Sequence, residues 1–187
     1  MSIVDWVSQT LFSACGLESL PLEPDATTLE WMEQSAVGSC VMQTPAGFYI
    51  MLGIHSIGLA MIVGAMMVAD LRVLGFARGI SAQALPKFVT LGWWGFWINA
   101  ASGIALFIGE ANKLFYDTTF RWKLFLILLG MINTYFINRT IFKPAAAGNP
   151  ALLDGASARL QATLSLLLWL AVIITGRMIA YLSEFSA

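Results

Sequence analysis

Four long apolar windows constrain this chain of 187 residues more than any other feature. They cover residues 48–74, 88–108, 122–142 and 160–182. Each is long enough to cross about 30 Å of hydrocarbon, which takes roughly 20 helical residues. A span must be helical because lipid offers the backbone no hydrogen-bond partner, and short connections favour antiparallel neighbours. The sequence therefore predicts an all-α integral membrane protein, with a bundle of four transmembrane helices over residues 47–187.

Composition supports a lipid environment and excludes several functional classes. Charged residues make up 11% of the chain, whereas soluble domains have about 25%. The net charge of −1 gives no basic surface for nucleic acid. No phosphate-binding loop, dinucleotide fingerprint, nucleophilic triad or HExxH motif occurs, so hydrolases and NTPases are disfavoured. The two cysteines allow at most one disulfide.

Residues 1–46 form a separate N-terminal region that is too polar to span a membrane. Apolar residues recur at helical spacing within residues 2–14 and again within 28–41. Thr27 followed by Glu30 fits a capping box at the start of the second segment. We interpret both segments as amphipathic helices lying at the membrane surface.

The distribution of Lys and Arg predicts the orientation. The first 71 residues contain neither residue type, whereas the loops after the first and third spans are basic. Basic loops favour the cytoplasmic side. The sequence therefore predicts that both termini, and residues 1–46 with them, lie on the side of the membrane opposite the cytoplasm.

Polar residues within spans are costly and mark candidate sites. Some of these polar residues are expected to stabilise the helix bundle and not to bind a ligand. Asp70 is expected to form an ion pair with Arg72 or Arg139, and Asn99 and Asn133 to hydrogen-bond between helices. Other polar residues are predicted to surround an outer pocket: His55, Glu110 and Arg177.

His55, the only histidine, suggests two redox ligands. Met51 precedes it by four residues, so both side chains share one helix face. With Cys40 and Met42 before the same span, these donors suit copper. The alternative ligand is haem b, held by His55 and Met178. Its propionates would be neutralised by Arg121, Lys123 and Arg177. The leading hypothesis is a copper or haem site near the outer membrane face.

Two further hypotheses need no metal. The outer pocket with His55, Glu110 and Arg177 is also suited to a quinone headgroup or another amphiphile. Alternatively, the chain is a ligand-free accessory subunit or a homo-oligomeric scaffold within a larger membrane complex. A stripe of small residues at Ser56, Ala60 and Gly64 suits close contact with another helix.

Two stretches carry a family resemblance. GIHSIGLAMIVGAMMVADLRVLGF (residues 53–76) and FRWKLFLILLGMIN (residues 120–133) resemble a family of bacterial four-helix membrane proteins classed as a domain of unknown function. The resemblance covers roughly residues 30–143 and implies the four-helix fold in a bacterial inner membrane, with the predicted outer side, and so both termini, in the periplasm. The matching positions are His55, Asp70, Arg72, Lys123 and Asn133.

A looser similarity points to copper-resistance CopD-type membrane domains and HemJ-like protoporphyrinogen oxidases. These proteins also combine a histidine in a span with a helix that begins at a lysine. Their resemblance implies a metal or haem ligand, but the present chain departs from them because it has no second histidine.

Overall fold

A computed structural model describes residues 3–17, 26–44 and 46–185, and its regular elements are all helical. The first half of the chain contains α1 (Ile3–Ala14), α2 (Thr28–Glu33), α3 (Ala36–Gln43) and α4 (Gly47–Leu74). A 3-10 turn (Ala82–Ala84) leads into α5 (Leu85–Gly109), which is followed by the short α6 (Ala111–Tyr116).

The second half continues with α7 (Thr118–Ile137), a π-helical segment (Asn138–Phe142) and α8 (Lys143–Ala146). A 3-10 turn (Pro150–Asp154) then precedes α9 (Ala156–Phe185). The π-helical segment continues the third apolar helix and buries Ile141 and Phe142.

Four of these segments are long and apolar enough to cross a membrane. They are Gly47–Leu74, Ala82–Gly109, Thr118–Ala146 and Ala156–Ile179, with mean hydropathies of 2.0, 1.3, 1.4 and 1.9. The predicted all-α fold with four such helices is therefore confirmed, and the chain has the architecture of a multi-pass membrane protein.

The helices α2 and α3 begin at capping residues. The backbone N–H of Thr27 donates to Glu30 Oε2 at 2.7 Å and the Thr27 hydroxyl accepts from the Glu30 N–H, which confirms the predicted capping box. The segment 28–41 is not one helix but two, because Ser35 starts a new one. Its Oγ accepts from Gly38 N–H at 3.3 Å and so caps α3.

The first span ends at a glycine. Gly75 has φ +92°, a conformation that residues with a Cβ rarely adopt. The N–H of Phe76 then donates to the carbonyl of Leu71 at 3.0 Å, which satisfies a carbonyl in the last turn of α4.

The chain divides into two compact units. The first comprises residues 1–58 and 97–116, and the second comprises residues 59–96 and 117–187. In the first unit, α1 packs on α3 and α2 packs on α6. In the second, α7 packs along α9.

The second unit contains the main apolar core. Its members are almost fully buried and come from α4, α5, the third span, α9 and the two 3-10 turns. They include Met66, Leu85, Ile137, Phe142, Leu153, Trp169 and Val172. This core surrounds the few polar side chains that the unit buries.

Candidate functional site

The side chains of His55 and Asn99 each hydrogen-bond the backbone of the other residue. His55 Nδ1 lies 3.0 Å from the Asn99 carbonyl oxygen, and Asn99 Nδ2 donates to the His55 carbonyl at 2.8 Å. Asn99 is buried and His55 is partly buried. The pair therefore joins α4 to α5 through two hydrogen bonds within the first unit.

This contact fixes the imidazole tautomer. A carbonyl oxygen only accepts, so Nδ1 carries the hydrogen and donates it. Ser102 Oγ lies 3.2 Å from the same nitrogen, while its own hydroxyl donates to the Ile98 carbonyl at 2.7 Å. In the neutral ring, Nε2 then carries the lone pair.

Two glycines allow the close approach of α4 and α5. A Cβ at Gly58 would lie 2.6 Å from the backbone nitrogen of Asn99. A Cβ at Gly103 would lie 3.0 Å from His55 Cε1. Neither position leaves space for a side chain, so both glycines are part of the His55–Asn99 contact.

The predicted copper ligands are used in separate contacts. Cys40 forms a disulfide with Cys15, with a Cα–Cα distance of 5.7 Å, so its sulfur is not a thiolate. The side chain of Met42 packs against Gly109. Gly109 lies six residues beyond Gly103, or about 9 Å along α5, whereas the donors of one metal ion lie within roughly 5 Å of each other.

The described residues also contain no group of typical metal ligands. No three or more of their His, Cys, Asp or Glu side chains are placed to hold one ion. Met51, one turn before His55 on α4, is partly buried. The copper hypothesis is therefore left with His55 and Met51 as neighbouring donors.

Glu110, predicted to line an outer pocket, pairs with its helical neighbour. Its Oε1 lies 3.1 Å from Lys113 Nζ, and both side chains are partly exposed. Such ion pairs contribute little to stability, typically about 0.3–0.5 kcal/mol. The carboxylate is therefore partnered at the surface of the first unit.

A second carboxylate, Glu33, links α2 to α6 and was not anticipated from the sequence. Its Oε1 accepts from the Asn112 backbone N–H at 2.8 Å, and its Oε2 accepts from the Asn112 side-chain amide at 3.2 Å. A contact across 79 residues leaves no local pattern in a sequence. Two hydrogen bonds nevertheless make it a strong tie within this unit.

A family of unknown function, DUF6644, matches residues 28–182 of the chain. The protein belongs to this family. The match begins at the first residue of α2 and includes all four spans, so the predicted resemblance to an uncharacterised family is confirmed. Neither the curated proteins nor the solved structures contain a match. The similarity to CopD-type and HemJ-like proteins stays a prediction.

The DUF6644 match includes Asp70 and Arg72, for which an ion pair is predicted. No such pair forms in the described structure. Arg72 Nε donates instead to the Ile80 carbonyl at 2.6 Å, and Arg139 donates to the Tyr135 hydroxyl at 3.0 Å. Asp70 is 1% exposed. Residues two apart on a helix point to different sides, so Arg72 is directed away from this carboxyl.

Asn133, another position in the DUF6644 match, donates across helices. Its Nδ2 lies 3.2 Å from the backbone carbonyl of Gln161 on α9. The next residue, Thr134, donates to Met66 Sδ at 3.6 Å. Both contacts hold α7 against its neighbours within the second unit.

The cationic residues proposed to bind haem propionates also lie in the second unit. Lys123 packs against Gly176, where an added Cβ would lie 3.6 Å from its Nζ. Arg177 and Met178, which follow Gly176, are exposed, with 43% of Met178 accessible. Met178 is therefore an exposed side chain on α9.

Proposed function

We propose that this DUF6644 protein is a homo-oligomeric scaffold of the bacterial cytoplasmic membrane. The observation that carries the proposal is an uncovered stripe of small residues on α4. Ser56, Ala60 and Gly64 are all exposed, and a Cβ at Gly64 would meet no atom within 4 Å. Small residues at such spacing let the backbones of two membrane helices approach closely. A second copy of the chain is the proposed occupant.

The contacts of the first unit also support a structural role. His55 is bonded to α5, Glu33 holds α6, and Glu110 pairs with Lys113. His55 and Glu110, two of the polar groups predicted to surround the outer pocket, thus already have structural partners. This favours the scaffold over the ligand-binding hypothesis.

Two independent features support placing the N-terminal helices outside the cytoplasm. The loops containing Arg78 and Lys143 are basic, which favours the cytoplasmic side for both. The Cys15–Cys40 disulfide suits the oxidising periplasm. Single cysteines at exposed loop positions test this orientation in intact cells with a membrane-impermeant maleimide. Tyr116→Cys, at the exposed end of α6, should react, and Ser81→Cys, an exposed position between the first two spans, should not. The reverse pattern would contradict the proposal.

The scaffold itself can be tested by cross-linking in native membranes. Both natural cysteines are in the disulfide, so an introduced cysteine supplies the free thiol. Ala60→Cys should give disulfide-linked dimers on mild oxidation. Leu167→Cys, 60% exposed on α9, is the matched control and should remain monomeric. Equal cross-linking at both positions, or none at Ala60→Cys, would refute the role of the stripe.

A copper or haem ligand bound through His55 is the second candidate. The observation that favours it is the bond from Nδ1 to the Asn99 carbonyl, because metal-binding histidines commonly donate their other nitrogen in this way. The ligand would bind Nε2. Protein purified from native membranes should then show a Soret band or stoichiometric copper that His55→Ala abolishes. Absence of both signals from the unaltered protein would eliminate this candidate.

A further inference from the structure

Asp70 is a buried carboxyl group that the scaffold does not use. It lies on α4, four residues before the helix ends, and is 1% exposed. Ser165 on α9, also 1% exposed, places its hydroxyl beside this carboxyl. Within the described part of the chain, neither Asp70 Oδ2 nor Ser165 Oγ has a hydrogen-bond partner of adequate geometry.

The same face of α9 carries further unsatisfied polar atoms. Gln161, Ser165 and Trp169 follow one another at four-residue intervals and so lie on one side of the helix. Gln161 Oε1 and Trp169 Nε1 are buried and, among the described residues, also lack a partner. Native proteins satisfy most buried polar groups, so several unsatisfied groups on one face require an explanation.

No cationic side chain of the described second unit neutralises Asp70. Arg72 on α4 donates to Ile80, and Arg139 in the π-helical segment donates to Tyr135. Lys123 on α7 lies beside Gly176, eleven residues from Ser165 and thus about 16 Å away along α9. The other charged side chains in the segments that follow the first and third spans are exposed: Arg78, Lys87, Lys143, Asp154 and Arg159.

A carboxylate that is buried without a cation is strongly disfavoured and takes up a proton instead. We propose that Asp70 and Ser165 form a reversible proton-binding site within the membrane. The carboxylate binds a proton from water and becomes a neutral carboxylic acid, and release of this proton restores the carboxylate. The Ser165 hydroxyl stabilises the carboxylate, because it can donate a hydrogen bond to one of its oxygens.

Carbodiimide labelling tests the site in the unaltered protein. Dicyclohexylcarbodiimide is lipid-soluble and reacts with protonated carboxyl groups. In lipid nanodiscs, mass spectrometry should find the adduct on Asp70, with labelling that increases as the pH is lowered. The exposed Asp154 is the internal control and should remain unlabelled at neutral pH. Failure of Asp70 to react, or labelling that is constant with pH, would overturn the proposal.

Two further measurements separate this site from alternatives. Sodium chloride at constant pH should not protect Asp70 from the reagent when compared with choline chloride. Protection by sodium would assign the site to a metal cation and overturn proton binding. Ser165→Ala should move the labelling midpoint to higher pH because the carboxylate loses a donor. The control Thr163→Ala, exposed on the same helix, should leave the midpoint unchanged, and an equal shift in both would contradict the role of Ser165.

Discussion

Asn99 donates from its side chain to the backbone of His55, and His55 donates from its ring to the backbone of Asn99. Replacing Asn99 by Ala should remove one of these two bonds and lower the stability of the protein in detergent by about 1 kcal/mol. Thermal unfolding measures the loss. Thr90→Ala removes an exposed hydroxyl from the same helix and is the control. An equal loss in both variants would show that the interhelical bond contributes nothing.

Gly58 is predicted to be intolerant of any side chain. In Gly58→Ala, the new Cβ would press on the Asn99 backbone and separate α4 from α5. Overpacking of this kind costs about 1–3 kcal/mol. Gly53→Ala places the same methyl group on the same helix with no atom within 4 Å. It should be neutral or stabilising by up to about 1 kcal/mol, because alanine is the better helix former. Equal melting temperatures for the two variants would contradict the predicted clash.

The Cys15–Cys40 disulfide is expected to hold α1 against α3. Joining residues 25 apart restricts the unfolded chain, and such a bond contributes about 2–4 kcal/mol. The double variant Cys15→Ser, Cys40→Ser should therefore be cleaved by protease near α1 much faster than the parent protein. Ser13→Ala, an exposed change on α1, is the control. Cleavage of all three proteins at one rate would show that the disulfide does not stabilise this region.

The start of α2 should depend on pH through Glu30. Hydrogen bonds from the Thr27 backbone and then its hydroxyl lower the pKa of this carboxyl below its ordinary value. The stabilisation is therefore complete above the unfolded pKa of roughly 4.3 and is lost as the pH falls through the lowered folded value. The NMR shift of the Thr27 amide should titrate with that lowered midpoint. In Glu30→Gln the same amide should not titrate in this range, and a wild-type midpoint at or above the ordinary pKa would refute the capping effect.

The sequence was sufficient to predict the four apolar helices and the capping box of Thr27 and Glu30. Both depend on local patterns, namely length, hydropathy and spacing. The division between α2 and α3 was missed although Ser35 is a good N-cap residue, because apolar spacing continues through it. Apolar spacing favours one continuous helix here, whereas the N-cap preference of Ser35 favours a break, and the structure has the break.

The contacts of the polar residues were harder to predict. The spans are apolar on nearly every side, so the contrast between faces that orients a soluble helix is weak. The sequence predicts an ion pair between Asp70 and a nearby arginine. The Arg72 side chain, however, points to a different side of the helix and donates a hydrogen bond to the Ile80 carbonyl. The actual neighbour of Asp70, Ser165, is 95 positions later and has no charge to suggest it. The partner of Glu33 is similarly remote in sequence.

The contact between Glu33 and Asn112 sets an order of events during biosynthesis. Ribosomes synthesise the N-terminus first, so α2 with Glu33 is complete while α5 is still unmade. Asn112 is synthesised only after the second apolar helix is complete. The attachment of α2 to α6 through Glu33 can therefore form only after two apolar helices have been synthesised.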